Sequence, residues 1–278
     1  MSTMTFGVRL RDAMDAKGPL CVGIDPHPAL MDQWGLTDSV FGLEKFAMTA
    51  LEAVGSVAAA VKPQSAFFER HGAKGIAVLE KVIAQARGMG VVVILDVKRG
   101  DIGSTAQAYA DAYLDQSSPL AVDAITASPF LGFGSLDPLL DTALANDAGV
   151  FVLALTSNPE GPQVQHATTA DGRTVAGAIL DAIATRNVDA ATMGSIGAVV
   201  GATIGTTTED LDIRGPLLVV GIGAQGGTAD DVRRLAGKSI GNVLPSSSRE
   251  ILEAGPEKAN LLAAAERLAR AFVDATST

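Results

Sequence analysis

The densest chemistry in the chain is Asp96-Val97-Lys98-Arg99-Gly100-Asp101, which directly continues the apolar run Val91 to Leu95. Asp96 and Lys98 are two apart, so on a strand both side chains leave the same face. Asp101 follows Gly100, which permits a turn. Together they predict a carboxylate–ammonium–carboxylate array. Flanking carboxylates keep a lysine protonated, and an acid held protonated beside a developing carbanion can give up its proton. The plainer reading is a surface salt-bridge loop. Lys62 ends a second apolar run, Ala58 to Val61, and Asp25 ends a third, Leu20 to Ile24. Either residue could simply open a solvated loop or a turn. If the ends of these runs are neighbours, Lys62 joins Asp96, Lys98 and Asp101 in one network of alternating charge. Asp25 beside it can accept a hydroxyl, for example from a ribose.

A second constellation suits a phosphate. Gly221-Ile222-Gly223-Ala224-Gln225-Gly226-Gly227 precedes a helix-like segment at Ala229. Glycines let backbone amides approach a phosphate, and a helix N-terminus adds favourable partial charge. The Lys-Ser/Thr ending of a Walker loop is missing, so triphosphate hydrolysis is not indicated. Arg249 follows the serine run Ser246 to Ser248, and its guanidinium suits bidentate phosphate binding; the alternative is a surface arginine at a helix start. Thr126, Ser128, Thr156 and Asn158 offer neutral hydrogen bonds at strand ends. The stretch from Pro159 to Arg173 reads as a lid or an ordinary surface loop. The histidines, His27, His71 and His166, show no metal spacing, though carboxylates alone could hold magnesium.

These residues need a frame. Apolar runs over Leu20–Asp25, Ala58–Pro63, Val91–Lys98, Ala121–Ser128, Val150–Asn158, Ile196–Thr203, Leu217–Gly223 and Asn242–Arg249 read as strands buried on both faces. Helical spacing lies between them at Gly42–Val57, Gly75–Arg87, Asp137–Ala145, Thr174–Thr185, Ala229–Leu235 and Lys258–Val273. Phe6, Leu10 and Met14 recur every fourth residue and predict an amphipathic helix that precedes the first strand. Eight such units in one chain predict a (β/α)8 TIM barrel, a single domain over residues 1–278. An open doubly wound sheet is the main competitor, but it places its glycine fingerprint after the first strand rather than the seventh.

Composition narrows the classes. The chain has 278 residues and a formal net charge of −10, which argues against a general nucleic-acid binder. A few cations in a cleft can still attract a small anion. The lone cysteine, Cys21, sits in an apolar run and reads as a small buried hydrophobe; no intrachain disulfide can form, which fits a cytoplasmic protein. Charges and glycines interrupt every apolar run before it reaches the length of a membrane span.

With these motifs in order, the chain resembles the orotidine 5′-phosphate decarboxylase family in its longer bacterial form. The carriers are Leu20-Cys21-Val22-Gly23-Ile24-Asp25-Pro26, Val61-Lys62-Pro63-Gln64, Asp96 through Gly103, Thr156-Ser157-Asn158-Pro159, Val200-Gly201-Ala202-Thr203 and the glycine loop from Gly221. The Asp-x-Lys-x-x-Asp element alone is shared with sugar-phosphate decarboxylases; the full set is more specific. The resemblance implies cofactor-free decarboxylation of orotidine 5′-monophosphate to UMP in de novo pyrimidine biosynthesis, on a (β/α)8 barrel and without a metal. It implies a catalytic tetrad of Lys62, Asp96, Lys98 and Asp101, with Lys98 the proton donor. It implies a homodimer in which Asp101, with Ile102 and Thr105, reaches into the partner's site. Asp25 would contact the ribose, Ser128 the pyrimidine, and Gln225 and Arg249 the phosphate. Val220 stands where the family often carries proline. Three other classes remain open on the residues: a magnesium-dependent barrel decarboxylase, a Schiff-base aldolase using Lys62 or Lys98, and a non-catalytic phosphate-ligand binder.

Overall fold

The structure is a computed structural model that describes residues 4–223 and 226–276. Eight short strands pair in parallel and close on themselves: β1 (Cys21–Ile24), β2 (Ala60–Pro63), β3 (Val92–Arg99), β4 (Ala124–Ala127), β5 (Gly149–Leu155), β6 (Ile196–Gly201), β7 (Leu217–Val220) and β8 (Val243–Ser247). β8 returns to β1 with Ser246 opposite Cys21, which completes the barrel. Each strand falls within or nearly on the apolar run that predicts it. Both faces of these strands are buried, so their sequences carry no polar alternation.

The helices, in chain order, are α1 (Phe6–Lys17), α2 (Pro28–Gln33), α3 (Val40–Val54), α4 (Ser65–Glu69), α5 (Gly72–Gly88), α6 (Gly103–Leu114), α7 (Asp137–Ala145), α8 (Pro162–Gln165), α9 (Val175–Arg186), α10 (Ala229–Ala236), α11 (Arg249–Leu252) and α12 (Lys258–Thr276). One large apolar layer lies between the strands and the surrounding helices, with Leu43, Phe46, Leu79, Val82 and Phe272 among its members. A second cluster fills the barrel interior and joins Phe6, Leu10 and Met14 of α1 to Cys21, Ile94, Phe151, Leu218 and Leu244. Helix α1 therefore plugs the end of the barrel where the strands begin. The Phe6 ring meets Phe151 edge-on at 6.0 Å. Burying such a ring is worth about 3 kcal/mol. Gly149 makes room for it, because a Cβ there would stand 2.2 Å from the ring. Cys21 is fully buried in this interior, and burial pushes its thiol up to about 12. Plugging one end leaves the other, where the strands finish, as the open mouth.

Helix α6 is the long element that sequence periodicity did not indicate. Its buried face is Ala106, Ala110, Tyr113 and Leu114. The first turns bury only methyl groups, so no stripe of large apolar residues announces the helix. No helix among the described residues is long and apolar enough to cross a membrane.

Candidate active site

The ends of β1, β2 and β3 are adjacent, and that adjacency gathers the charges. Gly23 is opposite Lys62 in the β1–β2 register, and Gln64 bridges to Asp96 just beyond β2. Lys62 Nζ donates to Asp96 Oδ2 at 3.0 Å, and Lys98 Nζ donates to Asp96 Oδ1 at 2.6 Å. Gln64 Nε2 donates to Asp96 Oδ2 at 3.1 Å, and Thr126 Oγ1 donates to Asp96 Oδ1 at 2.8 Å. Each oxygen of Asp96 thus accepts two hydrogen bonds, which satisfies a carboxylate. Lys62 and Asp96 are each only 6% exposed, whereas the Lys98 side chain is 47% exposed and faces the mouth.

The electrostatics follow from this burial. Loss of water opposes the Lys62 ammonium, but Asp96 and then Asp25 outweigh it and hold its pKa above the ordinary lysine value. Burial also opposes the Asp96 carboxylate; Lys62 and Lys98 overcome it and hold that carboxyl well below the usual carboxylate range. Lys62 and Asp96 are therefore both charged throughout the physiological range, and Lys98, the more exposed, is the member that can reach a bound molecule.

Lys98 is not delivered by a regular pleat. Leu95 is opposite Ile125, but Arg99 is opposite Ala127, so residues 96, 97 and 98 of β3 bulge against the single Thr126. Lys98 itself takes a positive φ of 44°. Side-chain alternation predicts the correct side for Asp96 and Lys98, but the route is a bulge that points the lysine back over the aspartate.

These groups line a cavity of about 270 Å³ at the mouth. Asp25, Lys62, Asp96, Lys98 and Arg249 all face it, with Thr126, Thr156, Val220 and Ser248 completing parts of the wall. Ser248 Oγ donates to Asp25 Oδ2 at 2.6 Å, while Asp25 Oδ1 is buried with no partner among the described residues. An orphaned buried acceptor beside a cavity suits a ligand hydroxyl. Arg249 is the first residue of α11 and is exposed at the rim.

Other expected residues lie elsewhere. Asp101 is half-buried, its Oδ1 accepts the N–H of Ile102 at 2.8 Å, and it does not line its own chain's cavity. Within one chain the array is therefore Lys62–Asp96–Lys98, without the second carboxylate. Ile102 is 63% exposed just before α6, and Thr105 is exposed in its first turn. Ser128 is also not brought to this cavity. β4 ends at Ala127, and the Ser128 N–H donates to the Arg99 carbonyl at 2.8 Å. Ser128 lines a neighbouring apolar cavity instead, with Phe130, Phe133 and Ile179. Thr126 takes the inward position at the end of β4.

Gln225 lies outside the described residues. The Gly223, Gly226 and Gly227 amides donate within the loop, to Gly227, Gly223 and Gly221 carbonyls. Helix α10 has a capping box in which Thr228 and Asp231 satisfy each other, and Asp230 and Asp231 already face its dipole. Arg249 makes no ion pair among the described residues, so its charge at the cavity rim is available to an anion. The stretch 159–173 contains α8, and Thr168 bridges Thr174. Gln165 anchors it to Thr156 through bonds of 2.9 and 2.6 Å.

Sequence reading gave no role to Gln64 and Ser248, and it noted Thr126 only as a strand-end hydroxyl. The signal for Gln64 was available: it is two residues beyond Lys62 and so shares its face. Thr126 and Ser248 depend on contacts between strands distant in sequence.

The comparisons with known proteins agree with this fold. The profile described as "Orotidine 5'-phosphate decarboxylase / HUMPS family" matches residues 18–264. A curated orotidine 5'-phosphate decarboxylase from a Nocardioides species is 64% identical over 250 residues, covering 89% of this chain and 91% of the relative. One from Streptomyces coelicolor is 54% identical over 265 residues, covering 95% of each. A crystal structure from Streptomyces avermitilis, itself named only provisionally as an orotidine 5'-phosphate decarboxylase, superposes with a TM-score of 0.98. It is 53% identical and covers 100% of this chain and 98% of its own. The Leishmania donovani OMP decarboxylase structure gives a TM-score of 0.79 at 31% identity, covering 99% of this chain and 100% of its own. With its barrel closed, its charged array at the barrel mouth and its profile match running almost end to end, this chain belongs to the orotidine 5′-phosphate decarboxylase / HUMPS family.

Proposed function

We propose that this chain is a carboxy-lyase that converts orotidine 5′-monophosphate to UMP in de novo pyrimidine biosynthesis, without a cofactor or metal. The observation that carries the reading is the Asp96 carboxylate clamped between Lys62 and Lys98 in a cavity that Arg249 also faces. The phosphate pairs with Arg249 and Gln225 at one end, and a ribose hydroxyl donates to Asp25. These contacts are remote from the reacting carbon, so their binding energy can press the pyrimidine against the array.

The bond between ring C6 and the carboxylate carbon breaks. Its electron pair stays on C6, and carbon dioxide departs. Lys98 places a fixed positive charge where the carbanion grows, then transfers an Nζ proton to C6 and regains one from solvent. The barrier reduction asked of such a site approaches roughly 23 kcal/mol, more than any one side chain supplies. Lys62 contributes by keeping Asp96 ionised, and Asp96 by orienting Lys98.

The proposal includes a homodimer in which Asp101, Ile102 and Thr105 complete the partner's cavity. Support comes from their position: none of the three lines its own chain's cavity, Asp101 and Ile102 standing just before α6 and Thr105 in its first turn. Ile102, Phe130 (74% exposed) and Leu131 are large apolar side chains left facing solvent on the loops after β3 and β4. One domain over 1–278, a cytoplasmic location and no nucleic-acid partner complete the reading, in keeping with the lone buried cysteine and the net charge of −10. The test follows loss of the orotate chromophore with purified chain, with and without EDTA. Turnover that EDTA does not change supports the reading. Tight UMP binding with no turnover, or turnover that EDTA abolishes, overturns it.

A further inference from the structure

We propose that Thr126 is a positioning residue for the decarboxylation, one whose hydroxyl fixes both ends of Lys98. The inference rests on the decarboxylase reading above. Thr126 is 1% exposed. Its Oγ1 accepts the backbone N–H of Lys98 at 2.9 Å and donates to Asp96 Oδ1 at 2.8 Å. That same Oδ1 accepts from Lys98 Nζ at 2.6 Å. The four groups form a closed ring: the Lys98 amide, the Thr126 hydroxyl, the Asp96 carboxylate and the Lys98 ammonium.

The ring sits where the backbone needs it. Residues 96 to 98 bulge against Thr126 alone, and Lys98 holds a φ of 44°, which side-chain-bearing residues avoid. A strained conformation persists only when its surroundings over-determine it. The amide of a bulged residue has lost its ladder partner, and the Thr126 hydroxyl takes that place. The hydroxyl's one proton is committed to Asp96, so its lone pair is free for the Lys98 amide. Valine has almost the same shape but can do neither. Without the hydroxyl the bulge relaxes, and the ammonium leaves its place over the reacting carbon. Lys62 and Gln64 still hold the other oxygen of Asp96, so the pocket and its phosphate end remain.

The test compares wild type, Thr126→Val and Thr126→Ser in turnover of orotidine 5′-monophosphate, UMP binding and far-UV circular dichroism. A displacement near 1 Å predicts that Thr126→Val lowers kcat by about 100-fold. KM and UMP affinity stay within about threefold, because the lost interaction acts on the transition state. Thr126→Ser, which keeps the hydroxyl, recovers most of the rate. A merely structural role predicts instead that binding and folding fall together and that serine and valine behave alike. If Thr126→Val does not fold, Thr126→Cys replaces it and is expected to show the same split, since a thiol is a weak donor and acceptor. A folded valine or cysteine variant with near wild-type kcat overturns the role of Thr126 and leaves the decarboxylase reading standing. Wild type without turnover overturns both.

Discussion

Replacing Lys62 by methionine separates the structural from the chemical role of the array. Lys62 and Asp96 are both 6% exposed, with Nζ and Oδ2 3.0 Å apart. Removing one partner of a buried ion pair costs about 3–5 kcal/mol, because the other charge stays buried without compensation. Asp96 would keep Lys98, Gln64 and Thr126, which places the loss at the lower end, about 3 kcal/mol. For a chain of this size that lowers Tm by about 6–12 °C. Lys98→Met removes a charge whose side chain is 47% exposed, and water screens such a pair to about 1 kcal/mol or less. Both substitutions abolish turnover, but only Lys62→Met unfolds early. Urea unfolding followed by circular dichroism at one fixed protomer concentration reads the difference. Equal stability of the two variants, or Lys62→Met within about 1 kcal/mol of wild type, would refute the reasoning that this pair is a buried, mutually dependent unit.

Further outcomes follow from the same geometry. Asp96 has a depressed folded pKa, so its stabilisation is complete above the unfolded value of about 3.9 and fades as pH falls through the folded one. Lys62 has a raised folded pKa, so its contribution is complete below about 10.4 and fades as pH rises through the folded value. The stability difference between wild type and Lys62→Met therefore stays flat from about pH 5 to 9 and shrinks beyond both ends; a steep change near neutrality contradicts this. Arg249→Ala should cost about 1.5–3 kcal/mol of transition-state binding, read as kcat/KM for orotidine 5′-monophosphate. The same variant should leave turnover of the substrate lacking phosphate unchanged, and an equal loss on both removes Arg249 from the phosphate site. Asp101→Ala and Lys98→Ala should each be inactive alone. Mixed one to one and allowed to exchange, half the dimers are mixed and each has one intact site, so about a quarter of wild-type turnover returns. No recovery means Asp101 does not act across an interface.

The parts of this protein legible in its sequence are those that local pattern determines. Strands buried on both faces must be apolar runs, so Val92–Arg99 and Ile196–Gly201 stand out, and closing them into a barrel puts Lys62 beside Asp96. Helix α6 was silent because its buried face near the N-terminus is two alanines. The bulge at Lys98 was silent for another reason. Alternation describes a regular strand, and nothing local marks three residues facing one on a neighbour 28 to 30 positions away. Ser128 and Thr126 read alike as strand-end hydroxyls; the fold turns Thr126 to the cavity wall, while the Ser128 N–H bonds the Arg99 carbonyl. The glycine loop promised free amides, but its glycines bond to one another. Asp101 stands just before α6 and outside its own chain's cavity, so no strand-end pattern joins it to Lys62, Asp96 and Lys98.

The most direct measurement of the central claim is Lys98→Ala beside wild type, with UMP binding and orotidine 5′-monophosphate turnover measured on the same folded samples. The account predicts that UMP still binds measurably while loss of the orotate chromophore stops, since the phosphate and ribose contacts survive and the proton donor does not. A Lys98→Ala chain that turns substrate over at a near-normal rate would contradict it.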